Sequence, residues 1–282
     1  MKTILIATRN AHKVGEIRSI LGGEVQYPTL NDFPGSPAVI EDAATFAGNA
    51  IKKAVQLALW LAAARSAALE LLHRPPVSIK SDEPARKWDR LPACPSPTDP
   101  VPVKSGVSAP AAEHPAVASP ETDLLYADLW VLADDSGLEV DALNGAPGVH
   151  SARFAAVDAL QDGNTPDADN NAKLLRLLRD VPAETRTARF RCVLALTPVV
   201  SEPVASASPV CYAGEAPQTQ IFDGACEGRI DFAPRGHGGF GYDPLFIPNG
   251  YKQSFAELGA SVKDRISHRA QALGKLKQWL MV

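Results

Sequence analysis

Two adjacent aspartates, Asp134 and Asp135, follow directly on the apolar run Trp130-Val131-Leu132-Ala133. A run of that length reads as a buried strand, and a pair of carboxylates beside a core is costly unless a cation or a proton relieves it. Side chains of neighbouring strand residues point to opposite faces, so the two aspartates cannot serve in the same way. One can reach into a cleft while the other braces the loop or holds a metal through water. The sequence places the pair at the strand's end. Gly145, Pro147 and Gly148 then shape a tight loop, and Ser151 and Arg153 follow as anion contacts. A bare Asp-rich turn is the plainer reading of Asp134 to Gly137, but the long glycine-punctuated continuation favours a site.

The flanking segments supply partners for such a site. Ile4 to Ala7 is a compact strand candidate, broken by Thr8-Arg9-Asn10, after which Val14, Ile17 and Leu21 recur at helical spacing. Asn10 suits the N-cap of that helix, whose first-turn N–H groups favour an anion. Lys13 in the first turn opposes the helix dipole unless something negative binds there, and a phosphate would resolve the conflict. A second helix is expected from near Thr45 to about Leu72, with Asn49 and Lys53 on one face. Further along, Asp169 to Leu178 reads as a helix, and Ala188 to Leu196 and Gln220 to Phe232 as strands, with an extended loop between these strands at 198–219. The glycine-rich stretch Gly236 to Pro244 frees backbone for close approach to a ligand, where Phe240 could stack on a planar group and Asp243 accept a hydrogen bond. Ser267 is a fitting N-cap for the last helix, with His268 and Arg269 in its first turn and Leu273, Leu276 and Leu280 as a core face.

Composition narrows the classes. A 45% hydrophobic fraction in 282 residues supports a sizeable core, and a net charge of −4 argues against binding a nucleic acid polymer through a broad basic surface. Any anionic substrate must therefore meet a local cluster of cations. Cys94, Cys192, Cys211 and Cys226 are far apart with no CxxC pair, which reads as reduced thiols in a cytoplasmic protein. The N-terminal apolar run is too short for a signal peptide, and Ala54 to Leu72 carries Gln56, Arg65 and Glu70, as an amphipathic helix does and a membrane span does not. Residues 75–121 hold 11 of the 24 prolines with few large apolar residues. Such a segment buries too little surface to offset its ordering entropy, and is expected to be a mobile insertion in a single domain.

Five blocks, taken in order, resemble the inosine triphosphate pyrophosphatase family of noncanonical purine nucleoside triphosphate pyrophosphatases. They are ATRNAHK (7–13), EDAATFAGNAIKKA (41–54), LADDSGLEVDALNGAPGVHSARF (132–154), GGFGYDPLF (238–246) and KDRISHRAQAL (263–273). The resemblance implies an α/β fold with an elongated mixed sheet and two lobes flanking a nucleotide cleft. It implies hydrolysis of ITP, dITP and XTP to the monophosphate and pyrophosphate, with Mg²⁺, in a homodimer. Residue by residue, it gives Thr8, Asn10 and Lys13 to the phosphates, with Lys53 nearby; Arg9 beside that loop and Asn49 on the Lys53 face are further candidate substrate contacts. Asp135 matches the general base with Asp134 in support, Glu41 and Asp135 the metal carboxylates, and Ser136 a substrate contact. Phe240, Gly241, Tyr242, Asp243, Lys263, His268 and Arg269 match the purine end, where donors from His268 and Arg269 would meet a 6-keto oxygen. The chain departs from the pattern at Arg9, where many members carry Gly, and at Gly48, where an acidic residue is common. Two other readings are a Maf-like pyrophosphatase acting on other nucleotides and a catalytically silent nucleotide-binding module. The intact aspartate pair and both lysines count against the silent module.

Overall fold

A computed structural model of the protein describes residues 3–22, 25–73, 128–157, 163–200 and 218–281. The proline-rich insertion at 75–121 and most of the 198–219 loop lie outside these residues. A five-stranded mixed sheet in the order β1-β2-β3-β4-β5 is the scaffold, formed by Thr3–Ile6, Leu129–Val140, Thr187–Pro198, Gln220–Ile230 and Phe246–Pro248. β1 runs parallel to β2, and every later pairing is antiparallel. Among the described residues six α-helices accompany it: α1 (Ala11–Leu21), α2 (Phe46–His73), α3 (Asp167–Leu177), α4 (Phe255–Leu258), α5 (Ala260–Ile266) and α6 (His268–Leu280). None of the described helices is long and apolar enough to cross a membrane.

The period-two alternation of β1, β2 and β3 decides what covers each face. Leu5, Val131, Ala133, Val193 and Ala195 point to one side, where α2 packs Phe46, Ala50, Ala54, Leu57 and Leu61 against them. The intervening residues Ile4, Ile6, Leu132, Cys192 and Leu194 point to the other side, against Val14, Ile17 and Leu21 of α1 and Leu273 and Leu276 of α6. At about 1.5–3 kcal/mol for each fully buried Leu-sized side chain, these two layers fix the helices on the sheet. A third cluster lies towards the far ends of the long strands, where Leu138, Val140, Phe190 and Ile230 meet Leu174 of α3 with Tyr242, Phe246 and Phe255. The observed architecture is the mixed α/β class expected from the sequence.

One expectation is corrected. β2 does not stop at Ala133 but continues through both aspartates to Val140, paired with β3 from Trp130↔Pro198 to Val140↔Ala188. Asp-Asp-Ser-Gly has weak strand propensity, but a complete ladder of backbone partners on β3 overrides it. The expected turn comes later, where Asn144, Gly145 and Gly148 take positive φ.

Gly224 brings α6 close to the sheet. A Cβ there would lie 2.1 Å from the His268 carbonyl oxygen and 2.7 Å from the Ala272 nitrogen, both backbone atoms that cannot swing aside. Gly224→Ala should therefore lower stability by about 3 kcal/mol through overpacking. Gly15→Ala, with open space around it in α1, should raise stability by about 0.5–1 kcal/mol. Denaturant midpoints of the two variants check this, and equal midpoints would mean that α6 can shift to admit the methyl group.

Candidate active site

Asp134 points to the face covered by α1 and α6, which brings two cations to it. Lys13 from the first turn of α1 forms an ion pair with Oδ1, and Arg269 donates from Nε to Oδ2 at 2.8 Å. Ser136, two residues along the same face, donates to Asp134 at 2.9 Å and accepts from Arg269 Nη2 at 2.8 Å. Glu16 pairs with Arg269 Nη1 and also with Lys263 at 3.0 Å, and Lys263 reaches Asp243 at 2.6 Å. The result is a chain of alternating charges drawn from α1, β2, α5, α6 and the glycine loop. Burial alone would push the Asp134 carboxyl up, but Arg269 and Lys13 outweigh it and hold the group well below the usual carboxylate range. It stays ionised as a fixed counter-ion.

Asp135 points the opposite way, towards α2, and forms no ion pair among the described residues. Asn49 Nδ2 donates to it at 3.0 Å, while Asn49 Oδ1 accepts from the Ala43 backbone at 2.9 Å, so this amide is held at both ends. Lys53, one turn along α2, pairs with Glu41 at 2.5 Å and reaches the Asp134 carbonyl at 3.5 Å. Arg153 donates to the Glu41 carbonyl at 3.2 Å. Burial pushes the Asp135 carboxyl up to about 6, with the Glu41 charge adding to the rise and Asn49 opposing it. A carboxylate with that affinity for a proton is suited to accept one near neutral pH. A raised acid pKa also means that the charged form weakens the fold. The contribution of this group to stability is fully present below pH 4 and is lost as pH rises through about 6.

A cleft of about 180 Å³ opens between these elements and the glycine loop. Asn10, Lys13 and Ser136 line it together with Phe240, Gly241, Tyr242, Asp243, Lys263, His268 and Arg269. His268 stacks on Phe190 at 4.9 Å, and its buried Nδ1 has no partner among the described residues. Burial, with Arg269 and Lys263 close by, holds its pKa well below the ordinary histidine value and keeps the ring neutral. Tyr242 is anchored by its hydroxyl, which donates to the Ser151 carbonyl at 2.9 Å, and burial raises its pKa. Asp243 accepts from the Phe240 amide at 2.9 Å, which fixes the loop at its aromatic residue.

The sequence-named residues thus fall into two groups across β2. Asn10, Lys13, Ser136 and the seven residues from Phe240 to Arg269 share the cleft. Glu41, Asn49, Lys53, Asp135 and Arg153 gather on the α2 side, and do not line the cleft. Thr8 accepts from the Asn10 amide, and Arg9 reaches out to Ser36 at 2.8 Å. Asn10 caps α1 as expected, and takes the His12 and Lys13 amides on its own side chain. Four of the five N–H groups of Arg269 serve Asp134, Glu16 and Ser136, which leaves one to meet a purine. Sequence reading passed over Glu16, which follows Lys13 by three residues and therefore shares its helix face, a signal hidden by attention to the apolar positions. Replacing Arg269 by Met, of similar length but uncharged, should cost about 3–5 kcal/mol, because it leaves Asp134 and Glu16 short of a buried partner. Urea denaturation of the variant measures this, and a loss under 1 kcal/mol would show that Lys13 alone suffices.

Comparison with known proteins matches residues 4–71 and 111–279 to the Ham1 family. The chain is 37% identical over 281 residues to a dITP/XTP pyrophosphatase of Geobacillus kaustophilus, covering 99% of this chain and 95% of that protein. It is 37% identical over 278 residues to a dITP/XTP pyrophosphatase of Desulforamulus reducens, covering 98% and 94%. Among solved structures, a HAM1 protein from Coxiella burnetii aligns with a TM-score of 0.63 at 28% identity, over 100% of this chain and 99% of that one.

Proposed function

The chain belongs to the Ham1 family, and from that premise we propose that it hydrolyses dITP, XTP and ITP to the nucleoside monophosphate and pyrophosphate. The observation that carries the chemistry is the opposite setting of two neighbouring carboxylates. Asp134 is fixed as an anion by Lys13 and Arg269, while Asp135 is raised to about 6 on the other face. β1 pairs with β2 only as far as Leu132, so the phosphate chain can cross the edge of β2 to Asp135, which takes the proton from a water that attacks the α-phosphorus as the bond to the bridging oxygen breaks and pyrophosphate leaves. Asn49 sets the orientation of that carboxylate. Lys13 and Lys53 stand as the cationic clamps for the phosphate chain, with Thr8, Arg9 and Asn10 at the turn before α1.

Glu41 and Asp135 fit a divalent ion. The charge of one raises the proton affinity of the other, a strain that a cation relieves. Among the described residues no group of three or more His, Cys, Asp or Glu could hold a metal. A two-carboxylate set with the remaining positions left to phosphate and water is the mode in which Mg²⁺ binds beside nucleotides. Relief of phosphate charge is the chemistry Mg²⁺ supplies there when bound.

Selection against ATP follows from donors that line the cleft. A 6-keto oxygen accepts from Lys263, from the neutral His268 ring or from the remaining Arg269 N–H, whereas a 6-amino group leaves a buried donor unpaired at a cost of about 1–3 kcal/mol. Phe240 offers the stacking surface. The protein is further read as a cytoplasmic homodimer, each chain a single domain carrying an insertion. The break in the family match between residues 71 and 111 supports the insertion.

Pyrophosphate release should be measured across ITP, dITP, XTP, ATP, GTP and dUTP, with and without Mg²⁺. We expect kcat/KM for ITP, dITP and XTP to exceed that for ATP by at least about tenfold, and all turnover to need the metal. Asp135→Asn should lower kcat by roughly two or more orders of magnitude while the variant stays folded. A preference for ATP or dUTP, or release of orthophosphate in place of pyrophosphate, would contradict the proposal.

A further inference from the structure

Phe240 sits between two glycines of positive φ, Gly239 and Gly241. Its backbone is held by Asp243, whose carboxylate accepts from the Phe240 amide at 2.9 Å and whose own amide donates to the Phe240 carbonyl at 3.3 Å, which leaves the plane of the ring to the side chains around it. Side chains from elsewhere supply that restraint. Lys263 places its ammonium 4.3 Å from the ring centroid, and Lys263 lines the cleft. His12, in the first turn of α1, stacks on the same ring with centroids 5.3 Å apart and planes 21° from parallel, yet His12 does not line the cleft. The imidazole is carried by a helix whose N-terminus Asn10 caps at the His12 amide itself, so its position is set by rigid backbone.

We propose that His12 is a positioning residue for base binding. It backs one face of Phe240 and so fixes the plane of the ring that the purine meets. The bound state is then a stack of base, phenyl ring and imidazole, in which the helix that holds the phosphates through Lys13 also sets the plane on which the base lies. One turn of α1 thereby couples the two ends of the substrate. This inference rests on the functional reading above, which gives the cleft a purine nucleotide.

Because His12 acts through Phe240, its removal weakens ground state and transition state alike, which raises KM and leaves kcat unchanged. The test compares wild type, His12→Ala and His12→Phe. His12→Ala should raise KM for ITP by roughly threefold to tenfold, the scale of one aromatic pair, with kcat within about twofold. Calorimetric binding of inosine monophosphate should weaken by the same factor. Inhibition by inorganic tripolyphosphate, which has no base, should be unchanged, as should the melting temperature, since His12 is exposed. His12→Phe should restore KM. Unchanged KM in His12→Ala would overturn the proposal, as would weaker tripolyphosphate inhibition, which would place His12 on the phosphates. A wild type that cleaves no purine triphosphate, yet binds inosine monophosphate more tightly than His12→Ala, would sink the functional reading and support this one.

Discussion

The buried ion cluster around Asp134 is the interaction on which the rest of the site depends. It joins Lys13, Asp134 and Arg269, residues from the first, middle and last parts of the chain, and adds Glu16 and Ser136 to complete their hydrogen bonds. Desolvating that many charges is expensive, and such a cluster stabilises only when every member is paired. Here it fixes α1 and α6 against one face of β2 at a defined height. The turn at Thr8 to Asn10, the glycine loop and the last helix take their places around it.

The other face of the same strand has the reverse electrostatics. One residue further along, Asp135 faces α2 with an amide for a partner and a second carboxylate, Glu41, close enough to raise its proton affinity. Covalent adjacency and strand alternation thus produce two carboxylates of opposite character 3.8 Å of chain apart. The proposed mechanism uses both, an anion that never changes and a base that can. Cys192, buried against Asp134 and pushed well above its ordinary pKa by burial and then by that charge, stays a neutral thiol and adds no second nucleophile.

Much of this was legible in the sequence, because it depends on local rules. The caps at Asn10 and Ser267, the helical spacing of Val14, Ile17 and Leu21, and the opposed directions of Asp134 and Asp135 all follow from short-range geometry. What was not legible depends on distant partners. The continuation of β2 to Val140 comes from β3, whose register no local window contains. The commitment of Arg269 to Asp134 and Glu16 spans 135 and 253 residues of chain. His12 gave no sign, because its partner Phe240 lies in a loop at the other end of the sequence. Block-by-block resemblance names the candidate residues, and only the fold divides them between two faces of one strand.

That division is tested most directly by unfolding Asp134→Asn and Asp135→Asn beside the wild type in urea, in metal-free buffer at pH 8 and again at pH 4. The account predicts that Asp134→Asn loses about 3–5 kcal/mol at pH 8, since Lys13 and Arg269 lose their buried counter-ion. Asp135→Asn should instead gain up to about 3 kcal/mol at pH 8, from a carboxyl raised from 3.8 to about 6, and the gain should shrink towards zero at pH 4. Equal losses in the two variants would mean that both aspartates are structural anions, and would contradict the assignment of Asp135 as the base.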